Sequence, residues 1–250
     1  MQQKSNLVFA ALAGSRWLRG VTMLALLALS NTYASAQPVV FHASQSGQQT
    51  LDQGSGGGNP FASALIDALQ TPNLTLADLA STIRRLTVVK SNAFQSADTP
   101  EPATLGPGLM APAGAAERRA ALVLVVSTYS GGAQSLPGAK VDAARTAQAF
   151  RQVGFDTETA IDLDLRAIRK KLAEFATRTE HHGASIIYTT GHGVEVDGKT
   201  YLIPGAYPIN EGNRALATHA IQLSEIGQSL RAKRMNLLFY GGCRDNPLGG

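Results

Sequence analysis

Cys243 and His192 are the residues of this sequence whose types and settings could carry covalent chemistry. The apolar run Met235 to Tyr240 leads through Gly241-Gly242 to Cys243, and the run Ser185 to Thr190 leads into Gly191-His192-Gly193. A thiol attacks as its thiolate, so it needs a base or charge partner close by. An imidazole and a sulfhydryl delivered by two strand ends meet that need without proximity in sequence. The flanking glycines let a substrate backbone approach, and the amides of Gly193 and Cys243 are candidates to hold a developing oxyanion. That chemistry is acyl transfer through a thioester.

Plainer readings stand beside this one. Cys243 is the only cysteine, so it has no partner for a disulfide within the chain; it is either a small buried apolar residue or a reactive thiol. A histidine between glycines is also an ordinary turn residue. The two features occurring together favour catalysis. His42, His181, His182 and His219 lack that setting, and His181-His182 reads as a solvated loop. No His/Cys spacing fits a zinc site. Ser130-Gly131-Gly132 lacks the Lys-Ser/Thr of a phosphate-binding loop.

The elements that must position the two residues are legible from Arg119 onward. Ala120 to Thr128 reads as a strand buried on both faces. A helix through Val141, Ala144, Ala147, Phe150 and Val153 ends at Gly154. A short strand at Thr157 to Ile161 and a helix from Leu165 to Arg178 follow, then the strands before His192 and Cys243. Tyr201 to Pro204 reads as an extended edge, and Ser224 as the cap of a helix reaching Lys233. Strands alternating with helices predict a mostly parallel sheet covered on both faces, an α/β/α sandwich. Active sites of such sheets lie at the carboxyl ends of strands.

The front of the chain differs. Lys4, Arg16 and Arg19, the apolar core Val21 to Leu29 and Ala34-Ser35-Ala36 have the form of a signal peptide over residues 1–36. Its core is far short of the ~20 apolar residues that span a bilayer. The expected product is periplasmic or secreted. Three of the 22 Lys+Arg and none of the 18 acids fall in that segment, leaving 19 basic residues against 18 acidic. Near-neutral charge offers no surface for nucleic acid or an anionic membrane. Within 37–90, Val39 to Ala43 reads as a strand, Asn59-Pro60 opens a helix, and Thr75 with Asp78 caps a second one. Residues 91–117, rich in Pro, Ala and Gly, read as a flexible linker to a segment spanning 118–250.

The stretch Arg118 to Pro247 resembles the large-subunit segment of bacterial caspase homologues and metacaspases. The resemblance rests on RRAALVLVV, LPGAKVDA, YTTGHGVEVDGKTYLIP and NLLFYGGCRDNPL. It implies a caspase-like fold, a cysteine endopeptidase, His192 and Cys243 as the dyad, and peptide or protein substrates. Pro38 to Leu69 is similar to the opening of the small-subunit segment, which implies a circularly permuted domain with that segment first, in the order of type III metacaspases. Asp142 matches one acid of the metacaspase pocket for a basic P1 side chain. The usual second acid, two residues before the nucleophile, is Gly241 here. Cleavage after Arg or Lys is therefore expected on one carboxylate, although Asp142 also reads as a helix acid near a positive dipole end. The usual Gly-Asn after the first strand is Ser127-Thr128.

No organic cofactor is implied; calcium is required by some metacaspases, but no EF-hand loop occurs here. Two alternatives remain open: an inactive caspase-like pseudo-peptidase that binds a partner through the same cleft, and a plain α/β binding domain with a core cysteine.

Overall fold

The structure, a computed structural model, describes residues 36–101 and 117–249. Residues 1–35 of the predicted signal peptide and 102–116 of the predicted linker lie outside them.

Five parallel strands form the central sheet in the order β1 (Val39–His42), β8 (Met235–Tyr240), β4 (Ala184–Thr190), β2 (Arg119–Val125), β3 (Asp156–Ile161). Every residue of β2, β4 and β8 is buried, which explains their unbroken apolar runs. Alternate side chains of β2 serve opposite faces. Ala121, Val123 and Val125 join Leu65, Leu79, Ile83 and Phe150 in one core. Ala120, Leu122 and Leu124 join Ile168, Leu172, Phe175 and Ile226 in the other. Helices α1 (Pro60–Leu69), α2 (Leu76–Lys90) and α3 (Pro137–Gln152) cover the first face. Helices α4 (Leu165–Thr179) and α6 (Leu223–Gly227) cover the second, giving three layers.

The front segment belongs to the same core. Strand β1 runs in register with β8, Val39 beside Leu237 and His42 beside Tyr240. Phe41 and Phe61 pack against Phe239, with ring centroids 4.8 and 6.5 Å away, and Phe150 lies 6.4 Å from the same ring. Local chemistry starts and stops the helices as the sequence suggests. Asn59 Oδ1 accepts from Phe61 N, Thr75 Oγ1 accepts from Asp78 N, and Gly154 takes the positive φ after α3. The α3 N-terminus has no cap of its own; the Asp52 carboxylate accepts from Gly138 N at 2.9 Å and Ala139 N at 3.0 Å.

Four expectations need correction. Tyr201 to Pro204 is not an isolated edge. It contributes to β6 (Lys199–Leu202), which pairs antiparallel with β5 (Gly193–Val196) and β7 (Ile221–Gln222) in a second sheet. Asp197 and Gly198, both at positive φ, make the two-residue turn. Helix α6 is shorter than expected: Gln222 and not Ser224 is its N-cap, and the chain leaves the helix after Gly227 through turns in which Ser229 N donates to Ile226 O and Leu230 N to Gly227 O. His182 is buried, at 1 % exposure, and burial lowers its pKa. The front of the predicted linker is packed: Gln95 and Ala97 are buried and Asp98 pairs antiparallel with His42. A 3-10 turn at Ile209–Ala215 and the short α5 (Leu216–His219) complete the fold. Among the described residues no helix is long and apolar enough to cross a membrane.

Candidate active site

Strands β4 and β8 are neighbours and parallel, so the loops that follow them emerge side by side at the carboxyl edge of the sheet. His192 stands in the first loop and Cys243 in the second. The loops are in contact through their glycines. A Cβ on Gly193 would collide with the Tyr240 hydroxyl and lie 2.7 Å from the Cys243 carbonyl oxygen; one on Gly242 would lie 2.8 Å from the Gly191 carbonyl. Side chains at these positions would force the two loops apart.

The His192 ring is held on two sides. Its Nε2 lies 2.7 Å from the Gln134 carbonyl oxygen. A carbonyl only accepts, so this nitrogen carries a proton, and in the neutral ring the lone pair is on Nδ1. Tyr129 packs edge-on, with ring centroids 4.5 Å apart. Its hydroxyl accepts from His192 N at 2.7 Å and donates to Ile203 O at 3.2 Å. The hydroxyl is thus inserted into the β5–β6 ladder, where Ile203 N donates to His192 O. Bonded and non-bonded pairs alternate in an antiparallel ladder. Gly193, opposite Leu202, falls on a non-bonded position and its amide faces away from β6. That is the side on which Glu195 N donates to Asp245 O.

The loop carrying Gln134 is itself fixed. The Asp162 carboxylate accepts from the backbone N and hydroxyls of Ser127 and Thr128. These bonds outweigh desolvation and hold its pKa below the ordinary value. Ser127-Thr128, in place of the usual Gly-Asn, is therefore an anchoring pair.

Cys243 is half-buried and free. Its sulfur meets the front segment: Thr50 N donates to Sγ at 3.3 Å, and Thr50 Oγ1 lies 3.4 Å away. On one side of the Cys243 loop Arg244 N donates to Gln48 O and Gly47 N to Arg244 O. Arg244, whose side chain is 11 % exposed, ties three segments together, reaching Glu195 Oε2 at 2.6 Å, Asp98 Oδ2 at 2.7 Å and Ser44 O at 3.1 Å.

Asp142 is not in the first turn of α3, where a dipole role would put it, and its side chain is fully buried. Its Oδ2 accepts from Asn59 N at 2.9 Å, and Asn59 Nδ2 donates to Gly241 O at 3.2 Å. Asn59 thus bridges Asp142 to the residue two before Cys243. Burial pushes the Asp142 carboxyl up to about 7, against the opposing Asn59 hydrogen bond and the Arg145 charge. At Gly241 a Cβ would lie 2.7 Å from Thr190 Oγ1, so the position of the family's second acid is closed to a side chain.

Sequence reasoning missed Gln134, Tyr129, Thr50, Asn59 and Asp162. Gln134 acts through its carbonyl and Thr50 partly through its amide, and neither leaves a signal in residue type. Among the described residues no group of three or more His, Cys, Asp or Glu side chains is placed to hold a metal ion.

Comparison with known proteins agrees with this architecture. No curated protein matches the chain. The family described as the caspase domain matches residues 118–250, from the strand before α3 to the loop beyond Cys243. The chain belongs to the caspase-domain family of peptidases.

Proposed function

We propose that the protein is an exported cysteine endopeptidase in which Cys243 is the nucleophile and His192 its base. The observation that carries this reading is the juxtaposition of the His192 and Cys243 loops at the carboxyl edge of adjacent strands, with the imidazole held by Gln134 so that Nδ1 is the basic nitrogen.

In this mechanism Nδ1 of His192 takes the thiol proton and the sulfur attacks the scissile carbonyl. The new C–S bond leaves a negative oxygen facing the Gly193 and Cys243 amides. Collapse breaks the C–N bond as His192 returns the proton to the leaving amine. Water then attacks the thioester, giving one proton to His192; the C–S bond breaks, and the thiol regains that proton. Every proton is accounted for, and no external reductant or oxidant enters.

Asp142 sets a preference for Arg or Lys at P1, and the signal-peptide pattern of residues 1–36 directs the chain to the periplasm or medium. The order of segments, with β1 of the front segment beside β8, supports a circular permutation of the caspase-like domain. Cys243→Ala is expected to abolish peptide hydrolysis while its melting curve stays close to the parent's; undiminished turnover by that variant ends the proposal. A pseudo-peptidase would show itself by failing to react with an Arg acyloxymethyl ketone any faster than with free alkylating agents.

A further inference from the structure

Asp142 Oδ1 is buried and lacks a hydrogen-bond partner. Its neighbouring cation is Arg145, one turn along α3, whose Nη1 stands 3.6 Å away, beyond hydrogen-bond reach. Nη1 instead donates to Ser63 Oγ at 3.2 Å, and the Arg145 side chain is 31 % exposed. Facing them is the backbone of Gly58, where a Cβ would collide with Asp142 Oδ1 and approach Arg145 Nη1 to 3.2 Å. A second glycine wall follows at Gly56, whose Cβ would lie 3.7 Å from Arg145 Nη2. The carboxylate therefore has one satisfied oxygen, on Asn59, and one unsatisfied oxygen. The latter is bounded by bare backbone and a solvent-reaching guanidinium. An unmet buried acceptor is costly, so this arrangement favours a better donor at the same oxygen.

We propose that Arg145 is a specificity-determining residue: an internal counter-ion that a basic P1 side chain must displace from Asp142, and that thereby weakens the preference for Arg and Lys. This rests on the reading of the cleft as a peptide-binding site with Asp142 at its base. With glycine at 241 no second acid stands beside the nucleophile, and a basic substrate group must compete with Arg145 for the Asp142 carboxyl. The displacement is local: among the described residues the Ser63 hydrogen bond and the 3.6 Å ion pair to Asp142 hold the guanidinium.

Binding to the Cys243→Ala protein tests this without turnover. Two acetylated tetrapeptides, identical except for Arg or norleucine at the last position, are titrated by calorimetry into Cys243→Ala and into Cys243→Ala with Arg145→Gln. Removal of the counter-ion is expected to tighten the Arg peptide by about tenfold, the scale of one charge-assisted hydrogen bond, and to leave the norleucine peptide unchanged. Arg145→Met, which keeps the aliphatic stem, is expected to do the same. Equal shifts for both peptides, or none for the Arg peptide, overturn the role of Arg145. If neither peptide binds either protein, the peptide cleft itself is refuted and the inference falls with it.

Discussion

His192 and Cys243 stand out in the sequence because each follows a buried apolar run and is bracketed or preceded by glycine, a context that survives without coordinates, and the structure sets their two loops side by side. Their supports do not stand out, because a backbone carbonyl such as that of Gln134 carries no signature in residue type, and Asn59 reaches Gly241 only after the chain has folded. Asp162 is expected to matter at a distance. Replacing it with alanine leaves the buried Ser127 without its carboxylate partner, while the exposed Thr128 can turn to water, at a cost of roughly 1 kcal/mol read from the urea midpoint, and slows hydrolysis by loosening the Gln134 loop. Asp142 gives a pH signature. Its folded-state value of about 7 stands above the ordinary 3.8, so between these the folded chain binds a proton that the unfolded chain does not. Stability from this group is therefore greatest in acid and is lost as pH rises toward about 7. Arg145, Asp52 and Tyr188 are the charged or titratable neighbours electrostatically coupled to it. Asp142→Asn is expected to flatten that part of the melting temperature against pH profile; an unchanged difference between pH 5 and 7 would sink the assignment.

At the scale of elements, period and length were sufficient for the fully buried strands β2, β4 and β8 and for the long helices with one apolar face, while the part-exposed margins β1 and β3 gave weaker patterns. The three-stranded sheet was harder, because its strands are short. Yet its turn residues, Asp197-Gly198, are a hairpin pair in plain view. Ser224 misled because a serine also fits within a first helical turn, and here the helix begins at Leu223, one residue earlier, with Gln222 at the cap position. The junction of β4 and β8 carries its own test. Gly241→Asp, which restores the family's acid, is expected to destabilise the protein, because its Cβ meets Thr190 Oγ1 at 2.7 Å and Thr190 Cβ at 2.9 Å. Adding Thr190→Gly is expected to recover part of the loss in thermal melts. Equal melting temperatures for Gly241→Asp and the parent would refute the steric argument.

For the molecule as a whole, the α/β/α sandwich was evident from alternation of strands and helices, while the packing of residues 91–101 was not, since Pro-containing polar sequence looks alike whether anchored or free. The front and back segments share a core, a strand pair and the Arg244 ties. A protease cut confined to residues 102–116 is therefore expected to leave both pieces in one particle on a sizing column; separation in native buffer would contradict it. Arg244→Ala removes the ties to Glu195, Asp98 and Ser44 while Glu195 keeps the Ser46 and Thr200 hydroxyls as donors, so it is expected to lower the urea midpoint by the equivalent of about 1–2 kcal/mol. The β1–β8 pairing also has a consequence for biosynthesis. The strand that lies at the sheet's margin leaves the ribosome well before its mate, with the other three strands of the sheet synthesised in between. Thr50, which touches the sulfur, must wait just as long. Until β8 emerges the nascent polypeptide carries an unmatched strand, whose open backbone groups must stay clear of other chains.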